Sequence, residues 1–94
     1  MPTLHIEHEI TDLATWLEAF NRFGDARREA GVTAQRISQP IDDDTYIYVQ
    51  LDFDDLDKAQ GFKGFLETVI WKNPDASPAL AGAPRARLLQ AVTA

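Results

Sequence analysis

The strongest constraint on the fold is an echo between the two halves of the chain, in which Glu9-Ile10-Thr11-Asp12-Leu13 aligns with Asp52-Phe53-Asp54-Asp55-Leu56. Each copy stands where a run of alternating apolar and polar residues gives way to a helical pattern. In the first run Leu4, Ile6, His8 and Ile10 share one face and His5, Glu7 and Glu9 the other, the period of two that marks a half-buried strand. In the second, Ile47, Val49, Leu51 and Phe53 alternate with Tyr46, Tyr48, Gln50 and Asp52. Aligning Ile10 with Phe53 also matches His8 with Leu51, Ile6 with Val49 and Leu4 with Ile47. These positions should lie together under the helices.

Asp12 offers an N-cap oxygen, and Leu13, Trp16, Leu17, Phe20 and Phe23 follow at three- and four-residue spacing. The pattern predicts one long amphipathic helix to about Ala30, with Gly31 as the left-handed residue that ends it. Val32 to Gln39 reads as a second strand stopped by Pro40, and Asp42-Asp43-Asp44 as a solvated hairpin turn. Asp54 is expected to cap the next helix, whose stripe is Leu56, Ala59, Phe62, Leu66, Val69 and Ile70 and which Gly61 and Gly64 weaken. Asn73 to Pro84, with three prolines and four alanines, reads as a loop, and Ala86 to Val92 as the last strand. The order strand, helix, strand, strand, helix, strand is that of an α+β, ferredoxin-like βαββαβ plait, a four-stranded antiparallel sheet with two helices on one face.

A chain of 94 residues, 45% hydrophobic and 26% charged, suffices for one core, so residues 1–94 are read as a single domain. The net charge of −6 opposes phosphate backbones and anionic lipid, which argues against nucleic acid as a partner. There are no cysteines, and so no disulfide, thiolate nucleophile or cysteine-held metal. No apolar run approaches the roughly 20 residues that cross a bilayer, and Met1 to Ile6 carry no basic region leading into an apolar stretch. A cytoplasmic protein without membrane contact is expected.

Helices on one side leave the other face of the sheet open. That face should display Tyr46, Tyr48, Gln50, His5 and Glu7, together with Ile37 and Leu89. Tyrosine joins a large apolar area to a polar tip and concentrates at interfaces, so Tyr46, Tyr48 and Gln50 are expected to pack against a second copy in a homodimer. Two sheets stacked face to face about a two-fold axis close the assembly. A monomer with a solvated sheet face is the alternative.

Glu7-His8-Glu9-Ile10-Thr11-Asp12 with Trp16, then Ala30-Gly31-Val32, then Leu51 to Ala59, and finally Pro84 to Val92, resemble the dimeric α+β barrel superfamily. The chain looks closest to small uncharacterised bacterial members related to antibiotic biosynthesis monooxygenases and stress-responsive barrel proteins. The resemblance covers nearly the whole chain and rests on caps, staples and strand ends, so it bears on fold more than on activity. It implies a ligand cleft between helices and sheet, and a choice among cofactor-independent monooxygenase, isomerase, cyclase and non-catalytic binding roles. Related haem proteins draw their histidine ligand from a helix or the loop after it. Here the second helix and its loop contain none, so no cofactor is expected.

His8 is the candidate acid/base, an imidazole flanked by Ile6 and Ile10 whose counterpart in the echo is Leu51. The competing reading is a core histidine satisfied by a backbone carbonyl. Trp16, Phe20, Leu51, Phe62 and Trp71 are the candidate walls of a substrate pocket; the competing reading is core packing for Trp16 and cover for a core edge for Trp71. Arg36 would bind an anionic substrate if it pointed towards the helices, and otherwise pairs with a surface carboxylate. His5, Glu7 and Glu9 share a strand face without a second converging element, so no metal site is expected. An apolar or aromatic metabolite is the expected small-molecule ligand.

Overall fold

A computed structural model describes residues 1–93; residue 94 of the domain expected over 1–94 lies outside the described residues. Strands β1 (Thr3–Ile10), β2 (Val32–Ser38), β3 (Tyr46–Phe53) and β4 (Leu80–Leu89) form one antiparallel sheet in the order β2-β3-β1-β4. Helices α1 (Leu13–Arg22), α2 (Gly24–Glu29) and α3 (Leu56–Phe65) and a π-helical segment (Leu66–Ile70) complete the α+β, ferredoxin-like fold. The four pairs drawn from the echo are all buried: Leu4, Ile47, Leu51 and Phe53 are at most 1% exposed, and Ile6, His8, Ile10 and Val49 at most 6%. Ala59 and Phe62 of α3 join them in one core, with Leu13, Trp16 and Phe20 of α1 packed against it.

Five expectations are corrected. Ile37, expected on the open face, pairs with Val49 and so points to the helix side of β2. The first helix is not continuous, since Phe23 leaves helical geometry (φ −99°, ψ 16°) ahead of Gly24, and α2 starts afresh with Arg27 N–H donating to the Phe23 carbonyl. A glycine inside a helix costs about 1 kcal/mol relative to alanine, and the break falls beside it. The second helix is capped by Asp55, whose carboxylate accepts from Asp57 N–H at 2.8 Å, whereas Asp54 reaches only Lys58, at 3.7 Å. Asp55 is the residue the echo matches to Asp12, which accepts from Thr15 N–H at 2.8 Å.

The stripe of that helix also loses its ends, Leu56 and Val69 being 50% and 46% exposed. Past Phe65 the backbone widens, Trp71 N–H donating to the Leu66 carbonyl five residues back at 2.9 Å. The wider turn rotates Val69 outwards while Leu66, Ile70 and Trp71 stay on the inner side.

Finally, β4 begins at Leu80, inside the stretch expected to be loop, and ends at Leu89 rather than Val92. It is an edge strand, where Pro84 costs no ladder bond that a central strand would need. Its register with β1 slips between Glu7 and Glu9, which face Arg85 and Ala81, so the extra residues, including Gly82 at φ +69°, bulge opposite His8. Gly31 ends α2 as expected, at φ +104° and with the Lys58 stem so close that a Cβ would stand 2.7 Å from it.

Candidate functional site

The helices do not close completely on the sheet. A cavity of about 100 Å³ lies between them, floored by Ile6, His8, Val49 and Leu51 and walled by Trp16, Ala19 and Phe20 of α1 and by Phe62, Leu66 and Ile70. Trp71 and the segment from Ala76 to Leu80 flank its remaining side. The pleat explains the floor, because Ile6 and His8 point to the helix side of β1 and Val49 and Leu51 to the same side of β3. Trp16 and Phe20, one turn apart on α1, stack at 4.9 Å between ring centroids and make one aromatic wall.

His8 is the polar point of this floor and is 5% exposed. Its Nδ1 lies 2.8 Å from the Glu9 carbonyl oxygen, an acceptor only, so Nδ1 carries the proton and donates. Nε2 is then the unprotonated nitrogen. Among the described residues it has no hydrogen-bond partner and is not closed off, and His8 lines the cavity. Burial pushes the imidazole pKa below its ordinary 6.5, outweighing the carbonyl bond that favours the charged form. The ring at pH 7 is a neutral base bordering an apolar space.

All six residues expected at the site, His8, Trp16, Phe20, Leu51, Phe62 and Trp71, line this one cavity. Trp16 neighbours His8, with ring centroids 6.3 Å apart and planes tilted by 52°. Arg36 does not contribute. It lies on the open face and grips Asp52 with both arms of its guanidinium, at 2.9 and 3.0 Å, and this ion pair with the Thr3 hydroxyl holds the Asp52 carboxyl down at about 2.

The arginine that does line the cavity is Arg27, 6% exposed, with its guanidinium carbon 3.5 Å from the centre of the Phe20 ring. In the sequence it falls within the long first helix expected to about Ala30, and nothing singles it out among the charges of Gly24-Asp25-Ala26-Arg27-Arg28-Glu29. The signal available was its spacing, since Trp16, Phe20, Phe23 and Arg27 follow one another at four-, three- and four-residue steps and share the inward stripe.

The sheet face turned away from the helices carries a different arrangement. Tyr46 OH donates to Glu7 at 2.8 Å, and His5 Nε2 stands 2.8 Å from the other oxygen of the same carboxylate. Since the carboxylate only accepts, His5 donates through Nε2 and receives Gln50 Nε2–H at Nδ1, 3.2 Å away. The bonds from His5 and Tyr46, in that order, lower the Glu7 pKa. Tyr46 and Tyr48 meet edge to face at 5.3 Å, and Tyr46, Tyr48 and Gln50 stand half-buried on one face, with the polar ends of Tyr46 and Gln50 paired inside the chain. Among the described residues no group of three or more histidine, aspartate or glutamate side chains converges as a metal would need, and no helix is long and apolar enough to cross a membrane.

No family model and no curated protein matches the chain at a significant level. Solved structures do match along its whole length. A Nitrosomonas europaea protein provisionally named as an antibiotic biosynthesis monooxygenase superposes with a TM-score of 0.71 at 16% identity, covering 99% of this chain and 100% of its own. An antibiotic biosynthesis monooxygenase superposes with a TM-score of 0.68 at 13% identity, covering 99% and 100%. A dimeric ferredoxin-like protein from an uncultured marine organism gives 0.61 at 11% identity, covering 98% and 96%. At such identities the likeness is one of fold.

Proposed function

We propose that residues 1–94 act as a single homodimeric α+β barrel domain whose cavity takes a small apolar or aromatic metabolite and whose His8 moves a proton on it. The observation that carries this reading is the unpartnered Nε2 of a neutral, buried His8 at the only strongly polar point of the cavity floor. Cofactor-independent oxygenation, isomerisation and cyclisation share a first step, removal of a proton from an activated C–H or O–H to leave an electron-rich carbanion or phenolate. A base with a depressed pKa in an apolar setting suits that step, because it is unprotonated at pH 7 and little water competes for it. Trp16, Phe20, Leu51, Phe62 and Trp71 supply the surface on which a ring would lie. The likeness in fold to proteins named as antibiotic biosynthesis monooxygenases puts the oxygenase first among the three.

The open sheet face is the proposed dimer contact. Tyr46 donates to Glu7 and Gln50 is bonded to His5 and Arg36, so covering this face leaves few of their polar atoms unpaired, while the Tyr48 hydroxyl is left to bond across the contact. A neighbour of the same fold described as dimeric adds support. Light scattering at micromolar concentration should report twice the chain mass, and Tyr48→Glu should halve it; a wild-type monomer would rule the dimer out.

One observation favours a second reading, that of a non-catalytic binding protein. The cavity, at about 100 Å³, is no larger than a single ring needs and has few polar groups to steer a reaction. Proton exchange separates the two. In D₂O the protein should speed loss of the benzylic proton signal of phenylacetone, and His8→Ala should abolish the effect. Equal exchange by both proteins would end the catalytic reading and leave the binding one.

A further inference from the structure

We infer that Arg27 anchors an acidic group, so that the ligand of the cavity is an aromatic or apolar monoanion, a carboxylate or phenolate, with its acid at Arg27 and its ring along Phe20 and Trp16. This deepens the proposed function and rests on its premise that the cavity holds a ligand.

Arg27 is a buried cation without a counter-charge. The chain has 15 acidic residues, yet among the described residues no carboxylate forms an ion pair with it. Its neighbour Arg28, by contrast, pairs with Asp25 in the open. Buried charges are ordinarily paired, because removing an ion from water costs several kcal/mol unless another charge or dipole replaces the solvent. The acceptors Arg27 has are neutral, the Phe20 carbonyl 2.6 Å from Nη1 and the Gln35 side-chain oxygen 3.2 Å from Nε. A guanidinium offers five N–H donors, so the Nη2 edge and one hydrogen of Nη1 have no protein acceptor among the described residues. Nη2 is not sealed in, since among the described residues no side-chain nitrogen or oxygen is both enclosed and without a partner.

Position supplies the rest. Arg27 borders the apolar cavity and also a shallower groove of about 220 Å³ between α2 and β2, lined by Gly24, Arg28 and the residues from Val32 to Gln35, and it is the one lining residue the two share. The guanidinium sits over the Phe20 ring in a cation–π contact, and Phe20 in turn stacks on Trp16. A ring lying on that wall would place a substituent at the fork, where a carboxylate can take two parallel N–H bonds. A purely structural strut between α2, α1 and β2 would use the two donors already engaged and would not need a charge.

Benzoate and benzamide, alike in shape and different in charge, test this in the wild-type chain by NMR titration. Benzoate should bind at least about tenfold more tightly. It should also shift the Arg27 Nε–H resonance where benzamide does not. Arg27→Gln should bring the two affinities within about twofold of each other, chiefly by weakening benzoate. Equal binding of both by the wild type overturns the anion inference and leaves the cavity reading standing, whereas binding of neither overturns both. A preference that survives in Arg27→Gln moves the anchor elsewhere and overturns the assignment. Should that variant fail to fold, the wild-type comparison and the Nε–H shift still decide.

Discussion

Lowering the pH from about 8 to about 5 charges an ordinary imidazole, and the cost of charging His8 follows from where it sits. Burial holds its folded pKa below 6.5, while the unfolded chain returns it to roughly 6.5. Between those two values the unfolded chain binds a proton that the native one does not. Stability is therefore fully present above about pH 6.5 and is lost as the pH falls through the folded pKa, at up to about 1.4 kcal/mol per pH unit, and the slope vanishes again below it. The lowered carboxylates Glu7 and Asp52 respond only from around pH 4.5 downwards, so they do not contribute to a loss seen between about pH 6.5 and 4.5. Urea unfolding followed by far-ultraviolet circular dichroism avoids the direct effect of an imidazolium on the adjoining Trp16. The wild type should lose stability through this window and His8→Gln should not. Equal slopes in the two proteins, or an NMR titration that puts the His8 midpoint at or above 6.5, would refute the burial argument and with it the neutral base.

The corrected cap separates two adjacent aspartates: Asp55→Ala should cost about 1 kcal/mol by chemical denaturation and Asp54→Ala less than about 0.5. Gly31→Ala should cost about 1–2 kcal/mol in the same assay, the price of a Cβ at φ +104°, since the contacting Lys58 stem can move aside. Arg36→Ala should raise the Asp52 carboxyl from about 2 towards the ordinary 3.8, read by NMR titration.

The sheet was legible because strand pleating leaves a signal of period two, and the echo fixed its phase. Leu4, Ile6, His8 and Ile10 could be matched to Ile47, Val49, Leu51 and Phe53 before any coordinate was known, and all eight are buried. The same echo placed Asp55 opposite Asp12, and the Asp54 assignment failed by departing from it. What stayed hidden has no period. The break at Phe23 depends on one glycine, the π-helical turn at Leu66 on how Trp71 and Ile70 fit against the cavity, and the start of β4 on a bulge that only pairing with β1 defines. Arg27 was hidden by its type, since a cation beside other charges reads as surface unless the stripe through Trp16 and Phe20 is carried past the helix break.

Both tryptophans of the chain, Trp16 and Trp71, line the cavity, so intrinsic fluorescence reports on its contents without a label. Titration with toluene, a neutral single ring of the size the space suits, tests most directly whether a ligand enters between helices and sheet. A saturable change in wild-type fluorescence is predicted, with its loss in a folded Ala19→Leu variant whose added methyl groups fill the wall beside Phe20. No saturable change up to the solubility of toluene, or the same saturation in Ala19→Leu, would contradict it.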